Sequence, residues 1–265
     1  NRTVAEMLAC GARYFDLRVE NDGGNLVVFH GPIKGMSFLP IIDAISEFLT
    51  NHPSETLLLD FQHFENDGSM EGVDSLLNEK LNGKLVVNDT EKSDLQFAKE
   101  LTVGAARGKA MVFWGNYFKN TSECEYINGR NYLFARNNDA GTRTGSTLHS
   151  FYKGTLNRLA SKTYLKKAIP EYVEQFRQSN GGFFVMQMQL TDPIVIIGPK
   201  FYEGTHNKNA SSFVKSLKDK EYFDVVNIVM RDYIGAEKCK EIIALNEYKG
   251  TVKPSMSDEF ASKCA

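Results

Sequence analysis

The sequence has no strong excess of charge of either sign and no long basic run. Its 31 lysine and arginine residues nearly balance 33 aspartate and glutamate residues, which gives a formal net charge of -2 at pH 7. Nucleic-acid-binding surfaces usually need clustered basic residues, so we expect no nucleic-acid partner. The longest uncharged apolar run, PIVIIGP, is far too short to cross a bilayer, and no membrane-spanning helix is predicted.

Cysteine is scarce, and its spacing argues against a zinc site. The set has no C-x-x-C pair and consists of Cys10, Cys124, Cys239 and Cys264. Two disulfides in a secreted protein and four buried thiols are both compatible with this even number. Three N-glycosylation sequons occur, at Asn88, Asn120 and Asn209, about as many as chance would produce. These features favour a secreted or extracellular protein.

The chain also lacks an initiator methionine and a signal-peptide pattern. It begins directly with a helix start, because Thr3 and Glu6 fit a capping box and Gly11 fits a C-terminal stop. A chain that begins at a helix cap is expected to have lost a segment upstream, through processing or an incomplete record.

Apolar, β-rich runs alternate with helical segments. Strands are predicted at 13–19, 25–30, 56–62, 110–114, 183–189 and 225–231. Helices are predicted at 40–51, 162–178 and 208–220, the second kinked or split at Pro170. This alternation indicates an α/β fold whose parallel sheet is covered on both faces. A doubly wound sheet and a (β/α) barrel both fit, although no G-x-G-x-x-G favours the first. No linker divides the chain, so 1–265 is predicted to be one domain, with a long excursion at 116–160.

Polar residues mark the ends of these strands, where parallel α/β folds gather their sites. They are Asp16 and Arg18, His30, Asp60 and Gln62, Gln187 and Gln189, and Asp232. An arginine beside a histidine suits phosphate chemistry, because the guanidinium binds phosphate oxygens in a bidentate manner and the imidazole passes protons near neutral pH. An internal salt bridge between Arg18 and Asp16 that closes the mouth of a barrel is equally compatible with the spacing.

Several motifs carry a family resemblance in the same order. They are GARYFDLR at Gly11–Arg18, the His30-Gly31 pair, HPSETLLLDF after Phe48 and Leu49, FFVMQMQLT and NIVMRDYIG. With these motifs the chain resembles the X domain of phosphatidylinositol-specific phospholipase C, in its small metal-independent form. The resemblance covers nearly the whole chain and is weakest from 115 to 182.

The resemblance implies a distorted, incompletely closed TIM barrel whose first strand is missing upstream of Asn1. It implies that His30 is the general acid, that Arg18 stabilises phosphate charge in place of calcium, and that Asp16 belongs to the same catalytic strand. Asp232 matches the carboxylate that orients the general base. The implied reaction is attack by the inositol 2-hydroxyl on the phosphate, which yields diacylglycerol and a cyclic inositol phosphate. No metal and no cofactor are implied.

The chain departs from the family at the general base and in the head-group site. The family's basic histidine lies in a strand upstream of Asn1, so a separate N-terminal fragment is a candidate partner. Gln62 replaces a lysine and Met188 a tryptophan, which leaves inositol specificity open. Asp60, Gln62 and Gln189 are the predicted substrate-binding residues.

Two other functions compete with phospholipase activity. A related glycerophosphodiesterase would need an E-x-D motif with a metal, and Arg18 and Gly31 argue against it. A catalytically inactive barrel that binds a lipid head group or a protein is the second alternative.

The expected partners are a phospholipid substrate and a membrane surface, which the protein would meet peripherally. Two apolar loops follow predicted strands and are candidates for membrane docking. Their predicted docking residues are Ile33, Met36 and Phe38 in the first loop, and Ile194 and Ile196 in the second. Lys34 would meet anionic head groups. A buried strand is the alternative for IVIIG, in which Val195 and Ile197 face inward.

Overall fold

The computed structural model describes residues 2–115, 129–137, 146–153, 159–179, 182–190 and 199–249, without the side chains of 199–203. The strands in these ranges are β1 (Tyr14–Asp22), β2 (Asn25–His30), β3 (Ile33–Ser37), β4 (Thr56–Glu65), β5 (Lys109–Trp114), β6 (Leu133–Ala135), β7 (Leu148–Ser150), β8 (Phe183–Gln187) and β9 (Ile228–Met230). The α-helices are α1 (Val4–Ala9), α2 (Leu39–Asn51), α3 (Ser69–Lys80), α4 (Asp94–Glu100), α5 (Val103–Ala106), α6 (Ser161–Ser179), α7 (Pro199–Ser216) and α8 (Ala236–Ile243). Three 3-10 helices occupy Leu217–Asp219, Phe223–Val225 and Ala244–Lys249.

The strands form two sheets that a single bridge connects. The order β3-β2-β1-β4-β5-β6 describes the larger sheet, and β7-β8-β9 the smaller one. Strands β1, β4, β5 and β6 pair in parallel, as do β7, β8 and β9. An isolated parallel bridge between Arg136 and Leu148 links the two sheets. The result is one curved series of seven parallel strands in the order β1-β4-β5-β6-β7-β8-β9.

Hydrophobic residues pack on both faces of this series. On the outer side, α1, α2 and α3 cover β1, β4 and β5, with Leu8, Ile45 and Leu77 fully buried. A second outer cluster lies between β8 and the helices α6 and α7. The third cluster lies on the inner side, and every parallel strand contributes to it: Tyr14, Leu58, Met111, Phe113, Phe134, Leu148, Val185 and Ile228. An interior shared by all parallel strands is the packing of a barrel, and it leaves the strand ends to form a site.

The curved series is open between its first and last strands. Strand β9 pairs with β8 alone among the described strands. On the side of β1 away from β4, β2 pairs only with Val19–Asp22. The backbone of Tyr14–Leu17 therefore faces the opening without a described strand beside it.

The predicted elements are found at nearly the predicted positions, with three differences. Strands β2 and β3 are antiparallel to β1, so the sheet is not wholly parallel, and β3 is exposed along its length. Pro170 does not split α6, which is continuous from Ser161 to Ser179. The third predicted helix lies earlier than expected, as α7 followed by a 3-10 turn. The excursion 116–160 falls largely outside the described residues.

The predicted ends of the first helix are confirmed. Thr3 and Glu6 form a complete capping box at the start of α1. At the other end Gly11 has a φ of 105°, and its N–H donates to the carbonyl of Leu8. Glycine favours this left-handed conformation because it has no Cβ.

Two of the four cysteines and two of the three sequons lie in the described part of the chain. Cys10 and Cys239 are free thiols, while Cys124 and Cys264 lie outside the described residues, as does Asn120. The Asn88 amide donates to the Lys92 carbonyl and to Asp94 Oδ1, at 3.1 and 2.9 Å. The Asn209 amide donates to Ser161 Oγ at 2.9 Å. A glycan on either amide would have to break these bonds. Within the described ranges, no helix is long and apolar enough to cross a bilayer.

Candidate active site

A cavity of about 1210 Å³ opens along the gap between β1 and β9. Consecutive residues of both strands line it, and the β2–β3 turn forms part of its edge. Six of the seven predicted catalytic and substrate-binding residues are in its lining: Asp16, Arg18, His30, Gln62, Gln189 and Asp232. Residues more than 200 positions apart in the chain therefore share one cavity.

A β-bulge shapes the wall of the cavity where Arg18 lies. Strands β1 and β4 pair Leu17 with Phe61, but the next pair is Arg18 with His63. Gln62 is therefore the extra residue on β4 and has no partner on β1. Bulges re-aim side chains, and this one allows Gln62, on a strand that is otherwise buried here, to face the cavity.

The Gln62 side chain is buried at the cavity wall with an unused acceptor. It is 2% exposed, and its Oε1 has no hydrogen-bond partner among the described residues. A buried polar atom without a partner costs free energy, so it is a natural contact for a ligand donor such as a hydroxyl group.

Arg18 and Asp16 form an ion pair on the cavity wall. The distance from Arg18 Nε to Asp16 Oδ1 is 3.4 Å, and both side chains retain partial exposure. They lie two residues apart on β1, so both project to the same side of the strand. The predicted salt bridge is thus present, yet the pair lines the cavity instead of closing it.

His30 ends β2 within electrostatic reach of this pair. Burial and the Arg18 guanidinium lower the pKa of His30 below its usual 6.5, while Asp16 raises it. The imidazole is therefore largely neutral at pH 7 without a ligand. An anionic phosphate beside Arg18 would offset the repulsion and favour the protonated form.

Asp60 does not line the cavity, which corrects its prediction as a substrate-binding residue. Its carboxylate is 0% exposed and receives two contacts, from Arg136 Nε at 2.6 Å and from the Tyr14 hydroxyl at 2.7 Å. Burial raises the pKa of Asp60, and the Arg136 guanidinium opposes that rise. Arg136 also forms the backbone bridge between the two sheets. Its buried ion pair with Asp60 of β4 therefore links the larger sheet to this junction, beneath the cavity.

A chain of amides forms part of the cavity wall on the β8 side. Gln189 Nε2 donates to Gln187 Oε1 at 2.9 Å, and Gln187 Nε2 donates to Ser150 Oγ at 2.6 Å. Both glutamines line the cavity. Neutral amides suit recognition of hydroxyl groups, because each offers a donor and an acceptor.

Asp232 follows β9 on the far side of the cavity from β1. The Lys238 ammonium donates to the backbone carbonyls of Asp232 and Tyr233, at 2.7 and 3.0 Å. Tyr233 has a φ of 50°, a conformation uncommon for a residue with a side chain. These features hold the turn that carries Asp232 at the cavity.

Two apolar side chains are exposed on the rim, in β3 just after the β2–β3 turn. Ile33 is 70% and Met36 48% exposed, and both line the cavity. The docking prediction for Phe38 is wrong, because Phe38 is 0% exposed and packs on Phe61. Lys34 pairs with Glu20 and Asp22 of β1 but keeps half of its side chain exposed, so its contact with head groups stays a prediction. Ile194 and Ile196 lie outside the described residues.

Sequence reasoning overlooked Tyr14 and Arg136, and it left Gln187 without a role. Tyr14 lies two residues before Asp16 on β1, so it faces the same side of the strand as Asp16 and Arg18. The alternating pattern could therefore have identified Tyr14 as part of the site. Arg136 follows the three-residue strand β6, which is too short to be read from sequence.

Among the described residues, His30 is the one histidine in the cavity lining, and no group of His, Cys, Asp or Glu suited to a metal occurs.

Comparison with known proteins supports the resemblance on which these residues were selected. Residues 1–114 match the family model of the phosphatidylinositol-specific phospholipase C X domain. Human PI-PLC X domain-containing protein 2 is 41% identical over 68 residues, 24% of this chain and 22% of the relative. The mouse protein of the same name is 42% identical over 67 residues, 24% of this chain and 20% of the relative. The match thus spans about a fifth of these relatives' length.

Solved structures extend the similarity beyond the matched segment. The phosphatidylinositol-specific phospholipase C of Listeria monocytogenes superposes with a TM-score of 0.67 at 22% identity, covering 92% of this chain and 81% of that one. The Staphylococcus aureus enzyme gives a TM-score of 0.59 at 11% identity, covering 91% and 82%. The predicted barrel-type α/β fold is confirmed, and the family resemblance is confirmed over residues 1–114.

Proposed function

We propose that this chain, whose residues 1–114 match the X domain of phosphatidylinositol-specific phospholipase C, cleaves the phosphodiester of a phosphatidylinositol-type lipid or of a glycosylated phosphatidylinositol anchor. The products would be diacylglycerol and a cyclic inositol phosphate. The observation that carries this proposal is the placement of Arg18, Asp16 and His30 on the wall of one cavity.

Arg18 and His30 supply the two functions that phosphodiester cleavage needs most. The fixed guanidinium stabilises the charge that develops on the phosphate oxygens, as preorganised donors do in other enzymes. His30, protonated once phosphate is bound, gives its proton to the departing diacylglycerol oxygen. Asp16 lies 3.4 Å from Arg18 and holds the guanidinium in place.

The amide side chains form the proposed head-group site. Gln62 offers its unused acceptor, and the Gln189–Gln187–Ser150 chain presents further hydrogen-bonding groups. These uncharged groups suit the hydroxyls of a polyol such as inositol. Asp60 has no direct part in this contact, because Tyr14 and Arg136 hold it beneath the cavity.

The proposed general base comes from a further strand between β1 and β9. Both strands line the cavity, and Tyr14–Leu17 has no described strand on the side of the gap. A strand in this gap would pair with both edges and place a side chain beside Asp232. Its source would be an upstream segment or a separate N-terminal fragment.

We further propose that the rim residues bring the protein to the lipid surface. Ile33 and Met36 are exposed at the edge of the cavity. Their insertion between lipid head groups would dock the cavity over its substrate, as a peripheral membrane protein does.

A catalytically inactive barrel that binds a lipid head group is the second candidate. The observation in its favour is that, among the described residues, His30 is the one histidine in the cavity lining. Without a base from elsewhere, the cavity would bind a head group and leave its phosphate intact.

The test is an assay of the full-length protein on phosphatidylinositol vesicles, with release of cyclic inositol phosphate as the readout. A matched His30→Ala protein measures the background. Cleavage that depends on His30 supports the phospholipase. Saturable vesicle binding without cleavage supports the inactive barrel, and neither binding nor cleavage contradicts both candidates.

A further inference from the structure

The residues that flank α1 contact the turn before α8 and the first part of α8, and residues of both segments line the cavity between β1 and β9. At the first end, Arg2 Nη1 donates to the Ile234 carbonyl at 3.2 Å, and the guanidinium lies against Gly235. At the second end, the turn after α1 packs against Cys239. The two ends of the described chain are thus joined across the gap.

The second contact brings the backbone beside Cys10 onto a buried thiol. A Cβ placed on Gly11 would lie 3.1 Å from Cys239 Cβ and 3.7 Å from its Sγ. This spacing is tighter than most side-chain contacts, and the φ of 105° at Gly11, which follows Cys10 directly, also favours glycine. Cys239 is 4% exposed, whereas Cys10 is half-buried.

The electrostatics of the two thiols agree with this proximity. Burial raises the pKa of Cys239 to about 11, and a charge on Cys10 is the second cause of the rise. Cys10 therefore lies close enough to Cys239 to influence it, and Cys10 is the more exposed of the two thiols.

We propose that Cys10 and Cys239 form a disulfide when the protein meets an oxidising environment. The bond would join α1 to α8 and fix the width of the open side of the barrel. It is independent of the proposed phospholipase function.

The reaction balances with a small disulfide such as oxidised glutathione as the oxidant. The Cys10 thiolate attacks one glutathione sulfur, forms a mixed disulfide and releases one glutathione thiolate. The Cys239 thiolate then attacks the Cys10 sulfur and releases the second. Two protein thiols lose two protons and two electrons, and one glutathione disulfide becomes two glutathione thiols. The accessible Cys10 reacts first because Cys239 is buried and its pKa is high.

The experiment compares the full chain in reduced and in oxidised glutathione. After free thiols are blocked, oxidised protein should yield a peptide that links Cys10 to Cys239. The cross-link closes a loop of more than 200 residues, so the thermal midpoint should rise by about 5–10 °C on oxidation. Cys10→Ser should abolish both the linked peptide and the rise.

Matched controls separate this pair from the other thiols. Cys124→Ser and Cys264→Ser should keep the linked peptide and the thermal shift. Cys10→Ser is preferred to Cys239→Ser because Cys10 is half-buried, and the measurement on the parent protein needs no substitution at all. Absence of the Cys10–Cys239 peptide after oxidation, or its replacement by a pair with another cysteine, would overturn the proposal.

Discussion

Arg18 and Asp16 face the same cavity from neighbouring same-side positions of β1, with Arg18 Nε 3.4 Å from Asp16 Oδ1. The carboxylate restrains the guanidinium without covering it, because both groups keep some exposure. A fixed and accessible arginine is suited to a phosphate ligand.

Replacement of Arg18 by lysine should reduce kcat on phosphatidylinositol by about 10²- to 10³-fold, the usual cost of one preorganised donor. A point ammonium cannot reproduce the bidentate fork of the guanidinium. The control is Arg177→Lys, which alters an exposed pair between α6 and Asp224 and should leave kcat unchanged. Equal activity of Arg18→Lys and the parent would contradict the role of Arg18.

Replacement of His30 by alanine should lower turnover by about 10²- to 10⁴-fold, the typical contribution of a general acid. The control is His52→Ala at the end of α2, where the ring stacks on Phe48 outside the cavity. Circular dichroism should show both variants folded. If a folded His30→Ala protein kept full turnover, another group would have to supply the proton.

The pH dependence of kcat/KM should show a descending limb below pH 6.5. His30 acts as an acid only when protonated, and burial and Arg18 lower its pKa. Activity is therefore present below this lowered pKa and lost as pH rises through it. Asp16→Asn removes the group that raises the pKa of His30, so the limb should move to still lower pH.

The control for this shift is Asp43→Asn, on the outer helix α2 where Asp43 pairs with Lys80. The descending limb of the pH profile of Asp43→Asn should coincide with that of the parent protein. A limb that stays in place in Asp16→Asn would show that His30 is not the titrating group.

Chelators should not reduce activity. The proposed mechanism assigns the phosphate charge to the permanently charged Arg18, so no step needs a divalent cation. The measurement is the rate of vesicle hydrolysis in EDTA, with and without added calcium. Loss of activity in EDTA that calcium restores would refute the metal-independent assignment.

Serine at both Ile33 and Met36 should weaken binding to phosphatidylinositol vesicles by about 30- to 700-fold. Each apolar side chain that leaves water contributes about 1–2 kcal/mol to partition. Cleavage of a short-chain soluble substrate should stay at the parental rate, because neither residue is assigned a chemical role. The control is Val103→Ser, since Val103 is 68% exposed on α5 and absent from the cavity lining. Equal vesicle binding by the double variant and the parent would contradict rim docking.

Local patterns in the chain were sufficient to predict most elements of the fold. The capping box of α1, the left-handed glycine after it and the apolar runs of β4, β5 and β8 follow from short-range chemistry. Strands β6 and β7 were missed because each has only three residues, and their pairing depends on distant neighbours. The antiparallel β2–β3 hairpin lies outside the parallel series, and β3 has no buried face to produce a pattern.

The sequence by itself determined which residues are candidates for phosphate chemistry, since the alternation of Asp16 and Arg18 on one strand and the His-Gly pair at the end of the next are local features. Only the tertiary structure decided which polar residues reach the cavity. Asp60 and Gln62 have the same alternation on β4, but Arg136 holds the first beneath the site and a bulge turns the second toward it. Likewise Met36 is exposed and Phe38 buried on one short segment, because Phe38 has Phe61 to pack against. A packing or ion-pair partner that comes from a distant part of the chain produces no pattern in the neighbouring sequence. Which of these side chains are buried and which are exposed can therefore be seen only in the folded structure.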